Sequence, residues 1–89
     1  MKRKLPYFYG IYDSPNIDLF CRQCAAIERR FPDIRKDEVL EDVDGSSYQI
    51  YHHSKGMIRV CNDYCLGDLY VESEFDLLPY FKEGNDNEQ

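Results

Sequence analysis

Ile17, Phe20, Cys21, Cys24, Ile27 and Phe31 recur mostly three or four positions apart, the spacing that lines side chains along one stripe of a helix. Arg22, Glu28 and Arg29 fall largely on the other side. The pattern predicts an amphipathic helix over about 15–31. Asp13-Ser14-Pro15 supplies its start, since a side-chain oxygen accepts from unpaired N–H groups and proline in the first turn forfeits no bond. Pro32 ends it by disfavouring helical geometry in the residue before it.

Elsewhere the period shortens to two. Tyr7–Tyr12 is short, aromatic and flanked by Pro6 and Pro15, which suits a strand. Residues 48–53 alternate as a strand does, Ser54-Lys55-Gly56 reads as a hairpin turn, and 57–61 follows as its partner. Asn62-Asp63 begins another turn, and 68–72 forms a third strand with acidic outward positions. Ser73 with Asp76 is a helix-start signature leading into Phe75, Leu77 and Leu78, a short closing element that Pro79 should break. The acidic segment 33–44 has only Ile34, Val39, Leu40 and Val43 as apolar anchors, and its pattern fits either a short helix or irregular chain.

These elements define an α+β domain: one N-terminal amphipathic helix packed on a three- to four-stranded antiparallel sheet, in two layers. Residues 1–82 form this single domain, and 83–89 are expected to be a disordered acidic tail. Eighty-nine residues leave no space for a second domain and exclude a multidomain enzyme. An apolar fraction of 43% excludes an intrinsically disordered chain.

Charge narrows the choice of partners. The net charge is −6, so the chain as a whole repels phosphates and no direct nucleic-acid contact is expected. The charge is also uneven. Lys2, Arg3 and Lys4 open the chain, six acids lie between Asp33 and Asp44, and eight lie from Asp63 onward against Lys82 alone. Residues 1–12 imitate a secretion signal, but three tyrosines and a proline spoil its apolar stretch and no small-residue cleavage site follows. No apolar run is long enough to span a bilayer. The expected setting is the cytoplasm, where thiols stay reduced.

Cys21 and Cys24, with Cys61 and Cys65, have the paired spacing of a zinc site. The first pair lies within the helix stripe, so buried structural thiols are the preferred reading, with zinc and a disulfide as the alternatives. No cofactor is expected. His52 and His53 are neighbours on a strand and point to opposite faces, so they cannot grip one metal together. No nucleophile or carboxylate stands at a spacing that marks a catalytic partner for either, and phosphate-loop signatures are absent. An enzyme is not indicated.

What remains is surface. Asp37, Glu38, Glu41, Asp42 and Asp44 form one acidic group, and Asp63, Asp68, Glu72, Glu74 and Asp76 a second. Tyrosines accompany them at 48, 51, 64 and 70. Tyrosine offers a large contact with few rotors to freeze, and carboxylates steer a basic partner. The partner-binding candidates are these ten acids with Tyr64 and Tyr70.

The stretch from Ile58 through Arg59, Cys61, Tyr64, Cys65, Leu69, Glu72 and Phe75 to Phe81 resembles the C-terminal part of small immunity proteins, the antidotes bacteria make against their own nuclease toxins of the bacteriocin and contact-dependent growth inhibition type. The resemblance implies a cytoplasmic protein that neutralises a cognate basic toxin, a nuclease, by stoichiometric binding. On that reading, reversing Glu72 and Asp76 to Lys slows association. Two alternatives fit the same composition: an acidic phage or mobile-element protein that inhibits a host defence nuclease by mimicking DNA, and a zinc-stabilised interaction module using all four cysteines.

Overall fold

The computed structural model describes residues 5–85. The order is β1 (Tyr7–Tyr12), α1 (Ile17–Arg30), β2 (Arg35–Lys36), β3 (Leu40–Glu41), β4 (Ser47–His53), β5 (Gly56–Asp63), β6 (Asp68–Ser73) and α2 (Leu78–Asn85). All pairings are antiparallel, in the order β1-β6-β5-β4-β2, with β3 also on β4. The fold is α+β, as expected, but the sheet has six strands rather than three or four, and a second small helix is added.

Helix α1 starts later than the Asp13-Ser14-Pro15 signal suggests. Asn16, in extended conformation, is the cap: its side-chain oxygen accepts from Leu19 N–H at 3.0 Å, and its carbonyl accepts from Phe20 N–H at 2.9 Å. Asp18 in the first turn and Arg29 and Arg30 in the last both suit the helix dipole. The buried stripe is Phe20, Ile27 and Phe31, with Cys24 half-buried. Ile17 and Cys21 drop out of the expected stripe. At about 100° per residue, Cys21 is turned roughly a quarter circle from the line of Phe20, Ile27 and Phe31. Ile17, in the opening turn, is 55% exposed.

The stripe packs on one face of the sheet, where Tyr51, Ile58, Val60, Leu69 and Val71 meet it together with Leu77. Complete burial of a side chain such as Ile27 contributes about 1.5–3 kcal/mol. Tyr51 carries its hydroxyl into this layer and donates to Glu28 at 2.6 Å. Burial, and next the Glu28 carboxylate, hold the Tyr51 phenol protonated well above its ordinary range.

Segment 33–44 resolves into the two dipeptide strands β2 and β3, both borne by β4. In the β4–β5 hairpin, Gly56 opposes His53 at a φ of 146°, and a Cβ there would lie 2.7 Å from the Glu74 Cβ, so glycine is required twice over. Strand β5 runs through Asn62 and Asp63, which the sequence suggests as a turn; the turn occupies 64–67. Ser73 turns the chain back by accepting from Phe75 N–H at 3.1 Å. Asp76 then accepts from Leu78 N–H at 3.1 Å at the start of α2. Pro79 falls in the first turn of α2, where it interrupts nothing. That helix takes in residues 83–85 of the expected tail; 86–89 lie outside the described residues. Among the described residues no helix is long and apolar enough to cross a membrane.

Candidate interaction surface

Two hairpin turns meet at the end of the sheet where α1 begins. In the β3–β4 turn, Gly45 N–H donates to the Asp42 carbonyl at 3.1 Å, Asp42 Oδ1 accepts from Val43 N–H at 2.8 Å and Asp44 Oδ1 accepts from Ser46 N–H at 2.9 Å. Gly45 has a φ of 95°, a conformation glycine adopts without strain. In the β5–β6 turn, Asp63 Oδ1 accepts from Cys65 and Leu66 N–H groups, both at 3.0 Å, and its carbonyl takes Gly67 N–H at 2.8 Å. The turns are joined directly. Tyr64 N–H donates to Ser46 Oγ at 2.8 Å, and the Tyr64 ring lies over Gly45. Asn16 N–H donates to Asn62 Oδ1 at 2.8 Å, which fastens the start of α1 to the same end.

This junction brings the two acidic stretches together. Glu41, Asp42 and Asp44 from the first share one end of the sheet with Tyr64 and Asp68 from the second, and Asp13 and Asp18 lie there too. The Ser46 N–H holds the Asp44 carboxyl below its ordinary range, so it is charged at neutral pH. No Lys or Arg occurs in 37–54 or 60–81 to offset these charges. The same end exposes Tyr12, Ile17, Val43, Tyr64 and Leu66. Exposed apolar side chains rimmed by charge of one sign are a composition suited to contact with another protein.

The other candidates are placed elsewhere. Asp37 lies between β2 and β3, 2.9 Å from His52 Nε2 and 3.9 Å from the Arg35 guanidinium, and Glu38 beside it is exposed. Glu74 and Asp76 occupy the opposite end, where Glu74 accepts from Met57 N–H at 2.8 Å and Asp76 from the Tyr9 hydroxyl at 3.0 Å. Asp63, Tyr70 and Glu72 are buried on the sheet face turned away from α1. Tyr70 stacks beneath Phe8 at 4.9 Å and donates to Asp63 at 2.8 Å, and Glu72 pairs with Arg59 from the neighbouring strand. Their side chains are engaged within the fold. Alternation along β6 does assign Glu72 to the face away from the helix, but neighbouring side chains close over that face.

The sheet also separates the cysteines. Cys24 half-buries among the α1 packing, with its carbonyl 3.3 Å from the Tyr51 hydroxyl, whereas Cys61 alternates with Val60 and points to the other face. The four thiols therefore do not converge, and no group of three or more metal-binding side chains occurs among the described residues. Cys21 and Cys65 are exposed. Burial pushes the Cys24 thiol up to about 11 and the Cys61 thiol up to about 12. Titration with a disulfide reagent at pH 8 should accordingly modify Cys21 and Cys65 first, Cys24 more slowly, and Cys61 only on unfolding. Rapid reaction of Cys61 in the folded protein contradicts this placement.

His53 joins an aromatic cluster, 4.9 Å from Phe31 and 5.1 Å from Phe75 between ring centroids. His52 has a carboxylate partner after all, in Asp37. The two are fifteen residues apart and meet only because the two-residue β2 pairs with β4. No periodic signal in the sequence marks that pairing. No family model, curated protein or solved structure matches the chain.

Proposed function

We propose that this protein is a stoichiometric inhibitor of a basic protein, acting as an immunity protein acts on a nuclease toxin, by binding and without catalysis of its own. The observation that carries the reading is the junction of the two hairpin turns, where Asp42 and Asp44 meet Tyr64 and Asp68. A nuclease that grips phosphates presents clustered positive charge, and a fixed set of carboxylates around exposed apolar side chains complements it. Both turns are tied by their own hydrogen bonds, so little ordering cost falls on binding. Long-range attraction between opposite charges speeds encounter, an advantage to an antidote that must act before the toxin does.

Any basic toxin encoded beside this gene is the first partner to try. Co-expression should restore growth, and the purified proteins should form an equimolar complex. Substitution of Asp42, Asp44 and Asp68 together by Asn keeps each acceptor oxygen and removes the charge. It should lower the association rate by about tenfold or more at low salt and flatten its dependence on ionic strength. Tyr64→Ala should act mainly on dissociation. An unchanged association rate in the triple variant sinks this choice of surface.

A further inference from the structure

Gln49 places an amide among apolar side chains. It sits on β4 at 2% exposure, opposite Val60 and beneath α1. Its side-chain nitrogen donates to the carbonyls of Asp37 at 2.5 Å and Ile50 at 3.4 Å. Two carbonyls on that side fix the orientation of the amide, because only its NH2 group can donate to them. Gln49 Oε1 has no partner among the described residues. A buried acceptor left without a donor costs about 1–3 kcal/mol.

Gln49 lines a cavity of about 290 Å³ between α1 and the segment 36–39, with Phe20, Ala25 and Val39 among its apolar walls. Glu28 and Lys36 line it too. Glu28 Oε2 accepts from the Tyr51 hydroxyl at 2.6 Å and from the Lys36 ammonium at 3.1 Å, so Oε1 is left with no partner among the described residues. The Tyr51 hydrogen bond holds the Glu28 carboxyl below its ordinary range, and it is an acceptor at neutral pH. The Lys36 ammonium has further N–H groups to give. Together the pair carries no net charge, and apolar walls penalise a charged guest. We propose that this cavity binds a small, flat, uncharged heterocycle of the nucleobase kind, its N–H groups donating to Gln49 Oε1 and Glu28 Oε1 and its carbonyl accepting from Lys36. Apolar walls with a few polar groups are the usual make-up of a small-molecule site. A simple primary amide has the same polar groups but too little apolar surface to fill the space between Phe20, Ala25 and Val39. None of these residues belongs to the hairpin-turn junction, so the site is separate from the surface proposed for the protein partner.

The probe is isocytosine, a single ring with a ring N–H, an amino group beside it and one carbonyl. Titrated into the isotope-labelled full chain, it should shift the amides of 20–28, 36–39 and 49 and saturate with Kd below about 1 mM. Methylating the ring N–H should weaken binding by about tenfold or more, because an acceptor is then left unpaired. Acetamide, which lacks the ring, should be weaker by a similar factor. Saturating isocytosine should also slow modification of Cys24, whose side chain lines the same cavity. Ala25 is exposed on α1, so Ala25→Leu narrows the cavity from its outer side; it should weaken binding by about tenfold or more at an unchanged Tm. Gln49→Leu should weaken it similarly, and where that variant fails to fold Ala25→Leu decides. No saturation at about 5 mM overturns the proposal, as do equal affinities for the methylated ring or for acetamide. Undiminished binding by Ala25→Leu overturns it as well. So do shifts confined to 9–11 and 77–81, which assign the ring to the separate apolar cavity lined by Tyr9, Ile11 and Leu77.

Discussion

Glu72→Lys should remove a large share of the stability of the fold, about 3–5 kcal/mol. Glu72 is 2% exposed and its partner, the Arg59 side chain, 16%. The two face each other in register across β5 and β6, at the centre of the sheet. Substituting lysine leaves two cations in that space with no carboxylate between them. Breaking a buried pair costs about 3–5 kcal/mol, against a total stability for a domain of this length of roughly 4–13 kcal/mol. Urea unfolding should show this loss as a lowered midpoint. Glu72→Gln, which keeps an acceptor, should lose only about 1–3 kcal/mol. Changing Arg59 to Met and Glu72 to Leu together should restore much of the difference, because neither charge is then stranded. A Glu72→Lys protein within about 1 kcal/mol of wild type means that the pair contributes little. It follows that Glu72→Lys cannot serve as a test of partner binding: slower association would report lost structure. Asp42, Asp44 and Asp68 serve that purpose, since the first two are exposed and the third is only half-buried.

Phe31→Ala is the second large effect. Phe31 is the C-terminal cap of α1 and is 3% exposed. Its ring centroid lies 4.9 Å from His53, 4.8 Å from Tyr80, 6.1 Å from Phe75 and 6.4 Å from Phe81. This one side chain joins α1, the β4–β5 hairpin, the 73–77 turn and α2. Truncation should cost about 3–5 kcal/mol, through lost transfer energy and the cavity left behind. The corresponding fall in Tm is about 4–8 °C for each kcal/mol. Amide exchange should distinguish this from general loosening: protection should fall first at 78–82, because α2 is held largely by these rings. Loss of less than about 1 kcal/mol would mean that the neighbouring rings collapse into the gap.

The long elements were legible because their apolar residues recur at the period of the structure they form. Tyr7–Tyr12 is the strand its aromatic content and flanking prolines suggest, and β4, β5 and β6 extend their expected ranges by only one to a few residues. Strands β2 and β3 were not legible, since Arg35-Lys36 and Leu40-Glu41 have no period of their own and pair because β4 has an open side. The start of α1 was misplaced because Asp13, Ser14 and Asn16 are all competent caps; Asn16 is the one whose side-chain oxygen reaches Leu19 N–H. Both acidic stretches were visible as runs of charge. Their meeting was not, because Ser46 and Tyr64 are eighteen residues apart and nothing in either residue type announces the bond. Burial of Glu72 was equally hidden, since alternation reports which face a side chain takes and not what lies over that face.

The unequal edges of the sheet bear on how the protein behaves when crowded. A filament of stacked sheets needs two open borders on every subunit, one to accept a strand and one to offer the next. Among the described residues one border of the sheet is the six-residue β1, and the border opposite is broken and charged, formed by β2 and β3. Edge pairing between copies of this chain would therefore stop at a pair joined through their β1 strands. A long aromatic edge is ordinarily an aggregation hazard; in this molecule the opposite border terminates the chain reaction.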